Sequence, residues 1–214
     1  MDQISYNLQC IMIKFPISFD NFYVRLITPE GYKSKIFPKI CGLTIVFLRF
    51  LAPGNSVRSG YYVLPTESQQ EEAVIAQLYP DGIVCMDSVL FHYGYSDKTP
   101  LEWHLAFKRT VTRSRFKTNY PPVRWYMVQD SIFELGSTES EWSGIALKVY
   151  DRERTICDCF KKRSQMDSEM FAKAVNAYAA DDKKNLVNLS AYAKKLRVYK
   201  QVTTLMEVLL NRWL

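Results

Sequence analysis

Apolar and polar positions change period several times along the chain, and the changes divide it into candidate elements. Ile11, Ile13, Phe15, Ile17 and Phe19 alternate with Met12, Lys14, Pro16 and Ser18, the period of a strand, which Pro16 weakens. Thr28-Pro29-Glu30-Gly31 is a turn or helix-start signal. Residues 32–40 predict a short helix broken near Pro38, and Leu43 to Leu51 a second helix ended by Pro53-Gly54-Asn55. Val57 to Leu64, with Tyr61, Tyr62 and Val63, predicts a strand that Pro65 stops. The polar stretch Thr66 to Glu71 then reads as a linker or helix start.

Past that linker the pattern is mixed. Glu71 to Leu78 predicts a helix, Pro80-Asp81-Gly82 a turn, and Ser88 to Tyr93 a helix ended by Gly94. In Glu102 to Phe107, Trp103, Leu105 and Phe107 alternate with Glu102, His104 and Ala106, which predicts a half-buried strand with His104 on the surface. Val123 to Val128 and Ile145 to Val149 are further strands. From Arg152 the period becomes helical. Asp151 is a candidate N-cap for Arg152 to Arg163, and Asp167 for Ser168 to Ala180, where Phe171, Ala174, Val175 and Tyr178 form one stripe. Leu186 to Leu196 and Val202 to Leu210 close the chain as two more helices. Trp103, Leu105, Ile145, Leu147, Ile156 and Phe171 take the apolar positions of their elements and are the expected core. The fold class is therefore α+β: a small helix-rich unit over residues 1–65, then a mixed α/β domain over 66–214 with a helical C-terminal end.

Charge sharpens that division. Of 28 basic and 22 acidic residues in 214, residues 1–65 hold 7 and 3, so the first third carries most of the net +6. A mildly basic chain suits a nucleic-acid partner without demanding one. Helix, turn, helix and a strand with Gly60-Tyr61-Tyr62 is the winged-helix order. In that order Thr44 to Leu51 is the recognition helix, with Thr44 and Arg49 exposed, and Lys33, Lys35, Lys39 and Arg58 surround it as contacts to the phosphates of double-stranded DNA. An ordinary helical hairpin with solvated lysines explains the same residues, and on composition alone it is favoured.

Other candidate chemistry is sparse. Lys108 to Arg124 holds six basic residues and no acid, which suits an acidic partner or a charged loop between strands. Asp151, Glu153 and Asp158 alternate with Arg152 and Arg154, a pattern of caps and ion pairs more than of a metal site. The five cysteines, Cys10, Cys41, Cys85, Cys157 and Cys159, fit neither a zinc knuckle nor a redox pair and read as buried free thiols. The only histidines, His92 and His104, lie far apart, and His92 precedes Tyr93-Gly94, where packing at a helix end is expected. No Walker loop, Rossmann glycine pattern, GxSxG or HExxH occurs, so no enzyme activity, metal or cofactor is expected. The longest apolar run, Gly42 to Ala52, is short for a membrane span and carries Arg49; Asp2 precedes the first apolar stretch and no small-residue cleavage site follows it. A cytoplasmic location and no membrane partner are the expectations.

Several stretches together resemble the AbiEi family, the antitoxins of abortive-infection (type IV) toxin–antitoxin systems. They are Ser59-Gly-Tyr-Tyr-Val-Leu-Pro65, Tyr79-Pro-Asp-Gly-Ile-Val-Cys-Met-Asp-Ser-Val-Leu-Phe-His-Tyr-Gly-Tyr-Ser-Asp-Lys-Thr-Pro100, Glu102-Trp-His-Leu-Ala106, Val149-Tyr-Asp-Arg-Glu-Arg-Thr-Ile-Cys-Asp158 and Leu189-Ser-Ala-Tyr-Ala-Lys-Lys-Leu196. The resemblance runs from about Gly31 to the C-terminus. It implies an N-terminal winged helix that represses the system's own promoter. It also implies a C-terminal domain that counters a nucleotidyltransferase-like toxin without needing a stable complex. Lys33 to Phe37 and Gly42 to Arg49 resemble the second and third winged-helix helices, and Val57 to Val63 the wing. Asp81, Gly82, Ser88, His92, Gly94, Arg154, Thr155 and Asp158 are the positions that match the family's C-terminal motifs. Residues 1–30 lack the amphipathic stripe of the family's first helix, which keeps open an antitoxin or interaction module whose DNA reader is vestigial.

Overall fold

The computed structural model of the chain describes residues 71–112, 116 and 120–211, preceded by the backbone of five short strands. Its contacts divide into two compact units, Met1–Pro80 with Ser114–Pro122, and Asp81–Arg113 with Val123–Leu214. This division falls within the predicted turn at Pro80-Asp81-Gly82 and groups residues 66–80 with the N-terminal residues, where the proline-marked boundary was expected at Pro65.

In the first unit, β1 (Met12–Lys14), β5 (Tyr61–Val63) and β4 (Ser56–Arg58) form an antiparallel sheet in the order β1-β5-β4. The alternation around Ile13 is thus a strand, paired Met12 to Val63 through Lys14 to Tyr61. The single strand expected over Val57 to Leu64 is instead β4 and β5 folded on each other, with Arg58 facing Tyr61. β2 (Arg25–Thr28) pairs with β3 (Gly31–Ser34) about the predicted turn, so that Thr28 faces Gly31. The helix expected over 32–40 therefore does not start at residue 32. Tyr32, Lys33 and Ser34 take their hydrogen bonds from a neighbouring strand, a pairing that local periodicity does not register. The helix expected over Leu43 to Leu51 lies outside the described residues. α1 (Glu71–Leu78) forms as predicted, with Val74, Ile75 and Leu78 buried, and Tyr79 meets the Phe116 ring at 6.4 Å.

The second unit is built on a five-stranded mixed sheet. Its strands are β6 (Ile83–Val84), β7 (Trp103–Lys108), β8 (Val123–Val128), β9 (Ser137–Trp142) and β10 (Ile145–Tyr150), in the order β8-β7-β6-β10-β9. β7 runs parallel to β8, β10 parallel to β6, and β9 and β10 form a hairpin with Trp142 facing Ile145. Ser143 (φ 51°) and Gly144 (φ 82°) make its two-residue loop, and positive φ at both positions matches the twist of the flanking strands. β7 lies between β6 and β8 and is contacted by α2 (Met86–His92) and α3 (Asp130–Phe133). It is consequently buried from Trp103 to Phe107 rather than on one face, and His104, expected at the surface, is only 3% exposed. No helix among the described residues is long and apolar enough to cross a membrane.

α4 (Arg152–Lys161) is the hub of the helical part. It contacts α2, α5 (Ser168–Ala180), α6 (Leu186–Leu196) and α7 (Tyr199–Asn211). Ile156, Cys157, Cys159 and Phe160 from α4, Phe171 and Tyr178 from α5, Leu189 and Ala193 from α6, and Val202 and Met206 from α7 share one core. Full burial of such apolar side chains is worth roughly 1.5–3 kcal/mol each. Of the six expected core residues, Trp103, Leu105, Leu147, Ile156 and Phe171 are buried; Ile145, beside the hairpin loop, is half-buried. Asp151 caps α4 by accepting the Arg154 N–H at 2.7 Å, and Asp167 caps α5 by accepting two N–H groups at 3.0 Å, as their positions predict.

Candidate functional site

The family-like motif at the start of α4 is a buried polar knot. Arg154 is 1% exposed. Its Nε donates to Asp158 Oδ2 at 2.9 Å, and its Nη1 donates to the carbonyls of Ile132 (2.6 Å) and Leu135 (2.9 Å). The guanidinium lies 4.3 Å from the centre of the Tyr150 ring. A buried guanidinium needs such a shell, because an unpaired charge in the interior is strongly unfavourable. Thr155 Oγ1 donates to the Asp151 carbonyl at 2.8 Å, and Tyr192 donates its hydroxyl to Asp151 Oδ2 at 3.1 Å. Burial pushes the Asp158 carboxyl above the usual carboxylate range, against the pull of Arg154. Glu153 accepts from the Tyr178 hydroxyl (3.2 Å) and the Asn185 N–H (2.7 Å). The three alternating acids thus serve as a cap, an ion-pair partner and a buried acceptor.

The other motif positions support the sheet and α2. Asp81 is exposed and Gly82 buried in the turn before β6. The Ser88 hydroxyl accepts the His104 N–H at 2.9 Å, tying α2 to β7. His92 stacks on Trp142, with ring centres 4.2 Å apart, and shares a hydrogen bond of 2.7 Å with Ser140, so packing is its role. Gly94 has φ +72° and lets the Tyr95 N–H reach the Leu90 carbonyl (2.8 Å) while its own N–H reaches Phe91 (3.0 Å), the helix ending that favours glycine. His104 Nδ1 faces the Asp87 N–H at 3.4 Å and the Tyr126 hydroxyl at 3.3 Å. Burial lowers the His104 pKa to about 4, so its imidazole is neutral near pH 7. Cys85, Cys157 and Cys159 are buried free thiols, and burial raises all three pKa values.

The knot forms the floor of a cleft of about 710 Å³ within the second unit. Met86, Tyr126 and Val128 line one part of it; Arg109, Lys161, Lys162, Lys195 and Arg197 are the cations of its lining besides Arg154. Arg197 ends α6 in the left-handed conformation, at φ 62° and ψ 34°. Lys162 lies 5.6 Å from the centre of the Tyr126 ring. A concave, partly apolar site with converging polar groups is the usual shape of a small-ligand pocket.

The chain matches no protein-family model and no curated protein.

The sequence-predicted DNA contacts divide differently. Lys33 lies in β3 and Arg58 in β4, whereas Lys35, Lys39, Thr44 and Arg49 lie outside the described residues. From the basic run Lys108 to Arg124, Lys108 pairs with Glu134 at 3.6 Å, Arg124 pairs with Glu102 at 3.2 Å and Arg109 lines the cleft; Arg113, Arg115 and Lys117 lie outside the described residues. Sequence reasoning did not find the cleft. Its cations come from the ends of β7, α4 and α6, and the signals of it in the sequence are the start of the basic run at Lys108-Arg109 and the basic cluster Lys194-Lys195-Leu196-Arg197.

Proposed function

We propose that the chain is an antitoxin of the AbiEi kind. In this reading the N-terminal residues form a winged helix that binds double-stranded DNA at the system's own promoter. The C-terminal part counters a nucleotidyltransferase-like toxin without a stable complex and without catalysis of its own. One observation supports the reading. Four of the five stretches that carry the resemblance, scattered over more than a hundred residues, supply the framework of one unit: β6 and α2, most of β7, the end of β10 with the start of α4, and most of α6; the fifth, residues 59–65, holds β5 of the other unit. They also bond to one another, Ser88 to His104 at 2.9 Å, Tyr93 to the Tyr150 carbonyl at 3.0 Å, and Tyr192 to Asp151 at 3.1 Å. Motifs that depend on each other in this way act as one module.

A second reading, an antitoxin whose DNA reader is vestigial, is favoured by one feature. Lys33 lies on a strand where the second winged-helix helix is expected. Co-expression of the full chain with the neighbouring nucleotidyltransferase-like reading frame tests both. Rescued growth without co-purification of the two proteins is the expected outcome, and unrelieved toxicity would refute the antitoxin role. A gel shift with the upstream DNA at low salt separates the two readings, since only the repressor retards it.

A further inference from the structure

We propose that the cleft of the second unit binds a phosphorylated small molecule with a planar ring, a nucleoside polyphosphate. The charge balance of its lining is the first argument. Among the described residues of the lining, six cationic side chains, Arg109, Arg154, Lys161, Lys162, Lys195 and Arg197, face one acid, Asp158. That acid is already paired with Arg154 at 2.9 Å. The five remaining cations repel one another around an open concavity, and an anion of several charges relieves that repulsion while accepting charge-assisted hydrogen bonds. Lys161 carries the mark of this crowding: burial lowers its pKa, and Arg154, Lys162 and Arg109 push the same way against Asp158.

Cations at helix ends have an ordinary explanation in the helix dipole, and it accounts for Lys161 and Lys195. It accounts for a cation at Arg197 too, but not for the backbone that carries it. The Arg197 N–H reaches the Lys194 carbonyl at 3.2 Å and the Val198 N–H reaches Ala193 at 2.9 Å. Gly94 and Tyr95 make the same pair of bonds at the end of α2. Arg197 therefore stands in a glycine position, with a left-handed backbone that an L side chain adopts only at a cost. Met86 is likewise left-handed, at φ 49°. Among the described residues three non-glycine positions have positive φ, and two of them line this cleft. Backbone strain of this sort gathers where a side chain is held for binding.

The ring follows from the rest of the wall. Tyr126 is half-buried, its hydroxyl fixed at 3.3 Å from His104 Nδ1, and Met86, Ala106 and Val128 lie beside it. An aromatic face next to a cationic rim matches a base joined to phosphates. At about 710 Å³ the cleft falls within the roughly 300–1,000 Å³ of small-molecule sites.

Isothermal titration of the full chain with ATP, GTP, tripolyphosphate and adenosine tests the assignment, and it needs no toxin, so its outcome is independent of the antitoxin reading. One nucleoside triphosphate per chain is expected, bound more tightly than tripolyphosphate and far more tightly than adenosine. Arg197→Gly is the decisive variant, because glycine suits the backbone there. Its thermal melting should match or exceed that of the unaltered chain while triphosphate affinity falls about tenfold, the loss of one charged hydrogen bond. Lys161→Gln with Lys162→Gln should weaken binding likewise, and Lys183→Gln, away from the cleft, should not. Absence of binding, tripolyphosphate binding as tightly as ATP, or an Arg197→Gly loss seen for a DNA duplex but not for ATP would each overturn the proposal.

Discussion

Replacing Arg154 by methionine should be among the most damaging single changes in the second unit. Methionine keeps most of the side-chain volume and the contact with Tyr150, so the loss is electrostatic. Asp158 loses the Nε partner 2.9 Å away, and the carbonyls of Ile132 and Leu135 lose their donor. Removing one member of a buried ion pair costs about 3–5 kcal/mol. Each stranded carbonyl adds up to about 1–3 kcal/mol where water cannot reach it. These terms overlap, and a total of about 4 kcal/mol at pH 8 is expected, a large part of the roughly 5–15 kcal/mol that holds a domain folded. The pH dependence identifies the cause. The Asp158 carboxyl already titrates above its usual 3.8, through burial, and Arg154 is the largest influence holding it down. Without Arg154 it rises further. A folded-state carboxyl pKa above the unfolded value subtracts stability as pH climbs between the two, so acidification returns it. Urea unfolding followed by circular dichroism should therefore show the Arg154→Met deficit shrinking from pH 8 to pH 5. Arg154→Met combined with Asp158→Asn should be less damaging at pH 8 than the single change. A cost below about 1 kcal/mol, or one equal at the two pH values, would refute the reasoning.

Three further predictions are open to direct test. Gly136→Ala should destabilise by about 2 kcal/mol or more, because the residue has φ +72° and an added Cβ would come 2.6 Å from Arg154 Cβ; an unchanged melting temperature would contradict this close approach. The His104 ring should titrate near pH 4 by NMR, and since the unfolded chain takes up that proton near 6.5, this group's contribution to stability should fall as pH drops from about 6.5 to 4; a midpoint near 6.5 would mean the ring is solvated. If the N-terminal residues read DNA, promoter affinity should fall with salt at a logarithmic slope of roughly −0.9 per phosphate neutralised, and Arg58→Ala should lower affinity for all sequences alike; an Arg58→Ala effect confined to the promoter would place that side chain on a base edge.

Most helices of the second unit were legible because their ends carry their own signals. Asp151, Asp167 and Gly94 each mark a helix boundary through a side-chain acceptor or a left-handed turn, and those interactions reach no further than three to five residues along the chain. What depends on pairing with another strand was not legible. β9 reads as the polar string Ser-Thr-Glu-Ser-Glu-Trp, and it is a strand because six residues of β10 pair with it. His104 looks like the polar half of an alternating strand, yet β6 and β8 on its flanks and the packed α2 and α3 bury both faces of β7. Lys33 reads as helical and is held in a strand by Leu26 opposite. The cleft was hidden for a related reason. Its cations are separated in sequence by up to 88 positions, from Arg109 to Arg197, and its informative backbone features, a left-handed Met86 and a left-handed Arg197, occur where no glycine announces them.

The β9–β10 hairpin has a bearing on how copies of the protein meet. Among the described residues β9 ends the sheet and has a strand on one side alone, and such an edge is the surface through which sheets extend into aggregates. Glu139 and Glu141 stand exposed along that edge, opposite Lys148 and Ala146 of β10. A second copy approaching edge to edge would bring four carboxylates together along one seam, two from each strand, with like charges repelling before any backbone hydrogen bond could close. The acidic string of β9 is thus also its guard against sheet extension, and Glu139→Val with Glu141→Val would turn the same edge into a template.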